Sequence, residues 1–319
     1  MDTSPASPAP PRPGRAPGDG RRRAGRAGRA GMVVWGGLAG MLGLVGLVGP
    51  ATVAAGPAAA APATKWYVAL GDSYAVGYQP GIGATSGYTG YVAAHEHLRL
   101  ANFGCAGATT SSILTSVGCH VLPASSGAVA YPTTTQEAAA AAFISAHPGQ
   151  IGLITVSIGG NDVTACAVAA SPVLCVGGVG PTIMSNVTTL AADLRAAAGP
   201  TVPIVGLTYP DVILGQWVHP PVSTTLATLS VTAFKSLVNP TLSAAYASAG
   251  GRFVDVTAAT GAYVPLSRTV RLPPYGRIPV AVASVCRISY YCSAGNIHLH
   301  TSGYRTMGKL IVASLARRR

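Results

Sequence analysis

From about residue 64 onward, short apolar runs alternate with longer stretches of helical periodicity. Trp66-Tyr67-Val68-Ala69-Leu70 reads as a strand closed by Gly71, and Ile151–Ser157, Val202–Leu207 and Arg252–Val256 read as three more. A short run at Leu98–Phe103 supplies a fifth. Helical patterns, several rich in alanine, occupy about 87–97, 135–147, 183–198, 222–249 and 303–316. Strands alternating with helices predict an α/β protein: a three-layer sandwich with a central parallel five-stranded sheet and helices on both faces. In such sheets the reactive groups stand at the carboxyl ends of the strands. The polar residues just after each apolar run are therefore the candidates.

The first 63 residues follow different rules. Residues 1–31 are rich in Pro, Gly and Arg, Met32–Gly49 carries no charge, and Ala51–Ala63 is built of small residues. Basic, apolar, then small is the layout of a secretory signal, with Ala61-Pro62-Ala63 as an A-x-A cleavage site. An uncleaved anchor is the competing reading, because the apolar run is close to the shortest that spans a bilayer. Its glycines favour the signal. The expected organisation is a signal peptide and low-complexity N-terminus at 1–63, then one domain over 64–319 that is exported and monomeric, with membrane contact only through an uncleaved signal. The net charge of +12 changes little, since +5 of it falls within 1–63. No basic stripe interleaved with aromatics follows, so nucleic acid is not an expected partner. With 49% hydrophobic and 9% charged residues, the chain is no disordered polyelectrolyte and can bury a sizeable core.

All six cysteines lie in the expected mature part. They allow fifteen pairings, and sequence alone does not select one. Their grouping suggests Cys105-Cys119, Cys166-Cys175 and Cys286-Cys292. Zinc is the rival use, but no C-x-x-C or adjacent histidine pair supports it.

Three strand ends carry chemistry. Gly71-Asp72-Ser73-Tyr74 follows the first strand, Asn102–Thr110 with Gly107 follows the second, and Gly159-Gly160-Asn161-Asp162 follows the third. Near the C-terminus stands His298, in His298-Leu299-His300-Thr301-Ser302-Gly303-Tyr304. A hydroxyl, a glycine turn, an amide and an imidazole are the parts that acyl transfer needs: a nucleophile, a base and donors for an oxyanion.

Taken together these stretches resemble the four blocks of the SGNH (GDSL) hydrolases, in particular the secreted actinobacterial lipases and esterases, over essentially all of 64–316. The resemblance implies a flavodoxin-like SGNH hydrolase fold and an enzyme that cleaves carboxylic esters, with Ser73 as nucleophile and His298 as general base. It further implies an oxyanion hole made by the backbone N–H groups of Ser73 and Gly107 and the Asn161 amide. Glycine at 107 is expected because a side chain would hinder approach to the oxyanion. Three sequential disulfides also resemble those secreted lipases, and the mechanism needs no cofactor or metal.

One position departs from the family. Many members place an Asp three residues before the histidine, where this chain has Gly295. Some secreted relatives use a main-chain carbonyl instead, which implies that the Gly295 carbonyl orients His298. A carbonyl holds the tautomer but lacks the full charge that stabilises an imidazolium.

Plainer readings stand beside these. Ser73 could simply cap a helix, and Gly-Gly-Asn-Asp is a common turn. Asp72 and Asp162 fit supporting roles, and Asp255 is a weak candidate for a missing acid. His300 lacks the spacing to Gly303 and Tyr304 that His298 has. Tyr263, Tyr275, Tyr290 and Tyr291 suit an acyl pocket or ordinary packing. The expected substrate is a small-molecule or lipid acyl ester. A carbohydrate O-deacetylase, or a weak or inactive secreted binding protein on the same fold, is the alternative.

Overall fold

Five strands form one parallel sheet: β1 (Trp66–Gly71), β2 (Arg99–Asn102), β3 (Ile151–Ser157), β4 (Ile204–Leu207) and β5 (Arg252–Val254). Their spatial order is β2-β1-β3-β4-β5. This is a computed structural model, and it describes residues 64–119 and 125–316. The expected signal segment lies outside the described residues.

Both faces of the sheet are covered, which is why its strands are near-continuous apolar runs. In β1, Tyr67 and Ala69 point into one core with Leu153, Leu207, Tyr304 and Met307. Val68 and Leu70 point into the other with Ile154, Val156, Leu190 and Tyr246. Helices Gly87–His95 and Thr301–Ala316 cover the first face, and Gln136–Ala146, Pro172–Ala198 and Asn239–Ser248 cover the second. Buried hydroxyls are paired across strands and layers, as in Tyr67 to Thr155 at 2.7 Å and Tyr88 to Ser157 at 3.1 Å.

The chain leaves β1 toward β2 on one side, and β3 returns on the other, continuing to β4 and β5. The β1/β3 boundary is thus the point where the winding reverses, and the crevice beyond the carboxyl ends of strands lies there. Ser73 follows β1 and Asn161 follows β3. The topology alone brings their two loops together.

Several elements exceed or interrupt their sequence signals. The helix expected at 183–198 begins at Pro172, with proline in its first turn. Gly177, Gly178, Gly180 and Pro181 argue against helix locally, but Val176 and Ile183 are buried and packing outweighs propensity. The stretch expected as one helix over 222–249 is helical from Thr224 to Ser248, yet Phe234–Val238 forms a wider π turn just ahead of Pro240. Proline lacks a donor and crowds the preceding turn, and a π bulge relieves both. Beyond the sheet, β6 (Thr269–Leu272) and β7 (Gly276–Pro279) make an antiparallel hairpin.

Three disulfides join Cys105–Cys119, Cys166–Cys175 and Cys286–Cys292. The first closes a loop just after β2. A loop of that length contributes roughly 3 kcal/mol in the chain-entropy treatment.

Candidate active site

Directly after β1 the chain turns into the short helix Ser73–Val76. Asp72 caps it, accepting from the Tyr74 N–H at 2.9 Å and from the Tyr209 hydroxyl at 2.6 Å. Gln136 braces the preceding residue by a reciprocal amide pair, donating to the Gly71 carbonyl at 3.1 Å and accepting its N–H at 2.7 Å. Burial pushes the Asp72 carboxyl up to about 7, the Tyr209 bond opposing that rise. Asp72 is therefore spent on shaping the turn that presents Ser73.

Ser73 Oγ lies 2.9 Å from His298 Nε2, across 225 residues of chain. Tyr74 ties the two segments together, its hydroxyl donating to the Ile297 carbonyl at 2.5 Å. The Tyr78 ring meets the imidazole edge-on, with centroids 4.6 Å apart. Desolvation lowers His298 to about 4, so at neutral pH the ring is uncharged and one nitrogen is free to accept.

Which nitrogen accepts follows from Asn296. Its Oδ1 is 3.0 Å from the His298 backbone nitrogen and 2.7 Å from His298 Nδ1. A backbone N–H can only donate, so the atom facing it must be the amide oxygen. That same oxygen then accepts from Nδ1–H, which leaves the Nε2 lone pair for the Ser73 hydroxyl. The tautomer needed to take a proton from serine is set by an asparagine side chain.

The expected orienting group is thereby corrected. Gly295 holds a different post, ending the helix Tyr291–Ala294 in the left-handed region (φ +63°) with its N–H on the Tyr291 carbonyl. A Cβ at 295 would stand 2.5 Å from His219 Nε2, so a side chain there meets His219. The left-handed backbone disfavours any residue with a side chain at this position, and His219 would have to move to admit one. Asn296, which the sequence analysis did not single out, lies between Gly295 and His298. Its signal was local: Asn accepts from the N–H two residues on, an Asx turn.

The remaining predicted residues divide clearly. Asn161 stands at the end of β3 in the helix Gly160–Thr164 and lines the same cavity as Ser73. One of its amide hydrogens goes to the Ala108 carbonyl at 2.8 Å, which joins it to the Gly107 loop and leaves the other for a ligand. Gly107 has φ +82°, and a Cβ there would meet nothing within 4 Å. The left-handed backbone is by itself a reason for glycine at this position. Asp162 braces the loop after β2, accepting from Thr110 N at 2.9 Å and Thr110 Oγ1 at 2.6 Å. Asp255 caps another helix, accepting from Ala258 N at 2.8 Å and from the Asn239 amide at 2.8 Å. His300 packs edge-on against Tyr290, away from Ser73.

Beside Ser73 opens a largely apolar cavity. Its walls are Val163, Ala167, Val173 and Val176 on one side and Val212, Ile213, Leu226, Leu229, Ala233, Phe234 and Val238 on the other. Tyr263, Tyr275, Tyr290 and Tyr291 are not among them. Tyr291 instead donates to Gln216 at 2.9 Å and Tyr263 accepts from Asn239 at 2.8 Å, so these rings serve packing. The sequence reading missed the true walls because they arise from helices whose inward faces are ordinary aliphatics. Among the described residues no three His, Cys, Asp or Glu side chains group as a metal site.

Comparison with known sequences supplies the family. Residues 69–306 match the GDSL-like lipase/acylhydrolase family from the first strand to the last helix. The chain belongs to that family. As a GDSL-family protein it is a hydrolase of the lipolytic type. No curated protein sequence matches significantly. Among solved structures, the GDSL-family chain is similar in fold to a lipase from goat rumen metagenome (16% identity, TM-score 0.51, covering 79% of this chain and 97% of that one). It is likewise similar to phospholipase A1 from Streptomyces albidoflavus (19%, 0.50, 79% and 99%). An extracellular lipase from Streptomyces rimosus gives 19%, 0.50, 79% and 100%. The α/β fold with a five-stranded parallel sheet is the one that the four sequence blocks implied.

Proposed function

We propose that this protein is a secreted carboxylic ester hydrolase that works through an acyl-enzyme on Ser73. His298 Nε2 takes the Ser73 proton as Oγ attacks the ester carbonyl, and the imidazolium passes that proton to the departing alcohol. Water then attacks the acyl-enzyme, giving its proton to His298, and the imidazolium returns that proton to Ser73 Oγ as the acid leaves. Asn296 Oδ1 holds Nδ1–H throughout. The backbone N–H groups of Ser73 and Gly107 and the free amide hydrogen of Asn161 receive the oxyanion. The observation that carries this reading is the 2.9 Å contact between Ser73 Oγ and a neutral imidazole at the edge of an open apolar cavity.

The cavity favours long acyl groups over acetyl, which weighs against a carbohydrate deacetylase. The inactive alternative rested on a missing orienting group, and Asn296 meets that need. Three disulfides among six cysteines support export to an oxidising compartment, with 64–319 as the mature domain. A p-nitrophenyl ester series from acetate to decanoate is the test. The expected result is hydrolysis that rises beyond acetate and disappears in Ser73→Ala. A folded, disulfide-bonded sample that hydrolyses none of them would overturn the reading.

A further inference from the structure

The segment running from Val163 into the first turns of helix Pro172–Ala198 has two faces. Inward, Ala167, Pro172, Val173 and Val176 wall the cavity beside Ser73. Outward, Val168 is 91% and Leu174 77% exposed. The Cys166–Cys175 disulfide closes the loop that carries both, so they are held on one clamped ridge. Between Asp162 and Asp193 no residue is charged. The helix is long and apolar enough to cross a bilayer, but its later turns are anchored in the core by Val187, Leu190 and Leu194. Its exposed apolar start is therefore a surface feature. Single exposed aliphatics are unremarkable; a clamped pair on an uncharged stretch of chain is not.

We propose that this ridge docks on the surface of an aggregated lipid ester, a bilayer or droplet, so that acyl chains pass from the aggregate straight into the cavity. The inference rests on the cavity being the acyl site. A lipid surface is the occupant favoured over a protein, because the stretch that carries the ridge offers no charged side chain to fix a protein partner's register. Its continuity with the cavity wall also places whatever covers it at the entrance for substrate. A small apolar ridge of this kind reaches the boundary between headgroups and acyl chains.

The test uses the full chain with Ser73→Ala to stop turnover, Trp35, Trp66 and Trp217 replaced by Phe, and Leu174→Trp as the single local reporter, mixed with phosphatidylcholine vesicles. The expected result is a blue-shifted emission from residue 174 that nitroxide-labelled acyl chains quench. Arg305→Trp, on a helix packed against the opposite face of the sheet, should show neither effect. In a second arm, Val168→Ser/Leu174→Ser with Ser73 intact is assayed on a short-chain triacylglycerol below and above its solubility limit. Hydrolysis of the dissolved ester should be unchanged, and that of the emulsion should fall at least about tenfold, a floor below what full burial of two aliphatics is worth. An unshifted, unquenched reporter at saturating lipid would overturn the proposal, as would equal losses on both forms or no loss on either. The fluorescence arm needs no turnover, so failed docking and failed hydrolysis are read separately.

Discussion

Replacing Asn296 separates orientation from charge at His298. In Asn296→Ala the imidazole loses the acceptor at 2.7 Å, and the His298 N–H loses its bond at 3.0 Å. A hydrogen bond to a group that becomes charged in the transition state is worth about 1.5–3 kcal/mol. The turnover number should then fall roughly 10- to 100-fold, with KM little changed. Asn296→Asp keeps both acceptors and adds a negative charge beside Nδ1, which raises an imidazole by about one to three pKa units. His298 must be neutral to accept the Ser73 proton, so activity rises with pH through its pKa. Burial holds that pKa at about 4 in the parent. The acidic limb of kcat/KM should therefore lie near pH 4 in the parent and move upward by about one to three pH units in Asn296→Asp. A stopped-flow or fixed-time pH profile on a soluble ester reads both variants. Superimposable parent and Asn296→Asp profiles, or undiminished turnover in Asn296→Ala, would refute the assignment.

Three further outcomes follow from the same geometry. Asn161→Ala removes an oxyanion donor and should lower kcat roughly 100- to 1000-fold in steady-state assays, leaving the fold intact by circular dichroism. Ala233→Trp fills the far wall of the cavity, so kcat/KM for octanoate esters should drop tenfold or more relative to butyrate. Asp211 is buried, accepts from Ser230 at 2.8 Å, and its Oδ1 meets no hydrogen-bond partner among the described residues. Desolvation pushes its carboxyl up from 3.8 to about 7. A raised folded-state pKa stabilises below the unfolded value and loses that contribution as pH climbs to the folded one. Between pH 4 and pH 8 the parent should accordingly lose up to about 4 kcal/mol more than Asp211→Asn in urea unfolding.

Much of the sheet was legible because a strand buried on both faces leaves an unmistakable apolar run. Ile151–Ser157 was read to its observed limits. The β6–β7 hairpin and the helix Val280–Ile288 went unread, since strands of four residues show too little alternation and the helix, though amphipathic, is only nine residues long. The site residues fixed by strand ends, Ser73, Asn161 and the Gly107 loop, were visible for the same topological reason. Those fixed by tertiary packing were not. Tyr209 reaches Asp72 across 137 residues, and the cavity walls are helix faces indistinguishable in sequence from core. Gly295 illustrates a different failure: family position pointed to it, while its left-handed turn against His219 turned the task over to the next residue.

Covalent labelling with a fluorophosphonate, followed by peptide mapping, probes the central claim most directly, because the reagent reacts only with a serine whose proton is being drawn away. A single adduct on Ser73, abolished in His298→Ala, is the predicted result. An adduct on another residue, or none on the folded protein, would contradict it.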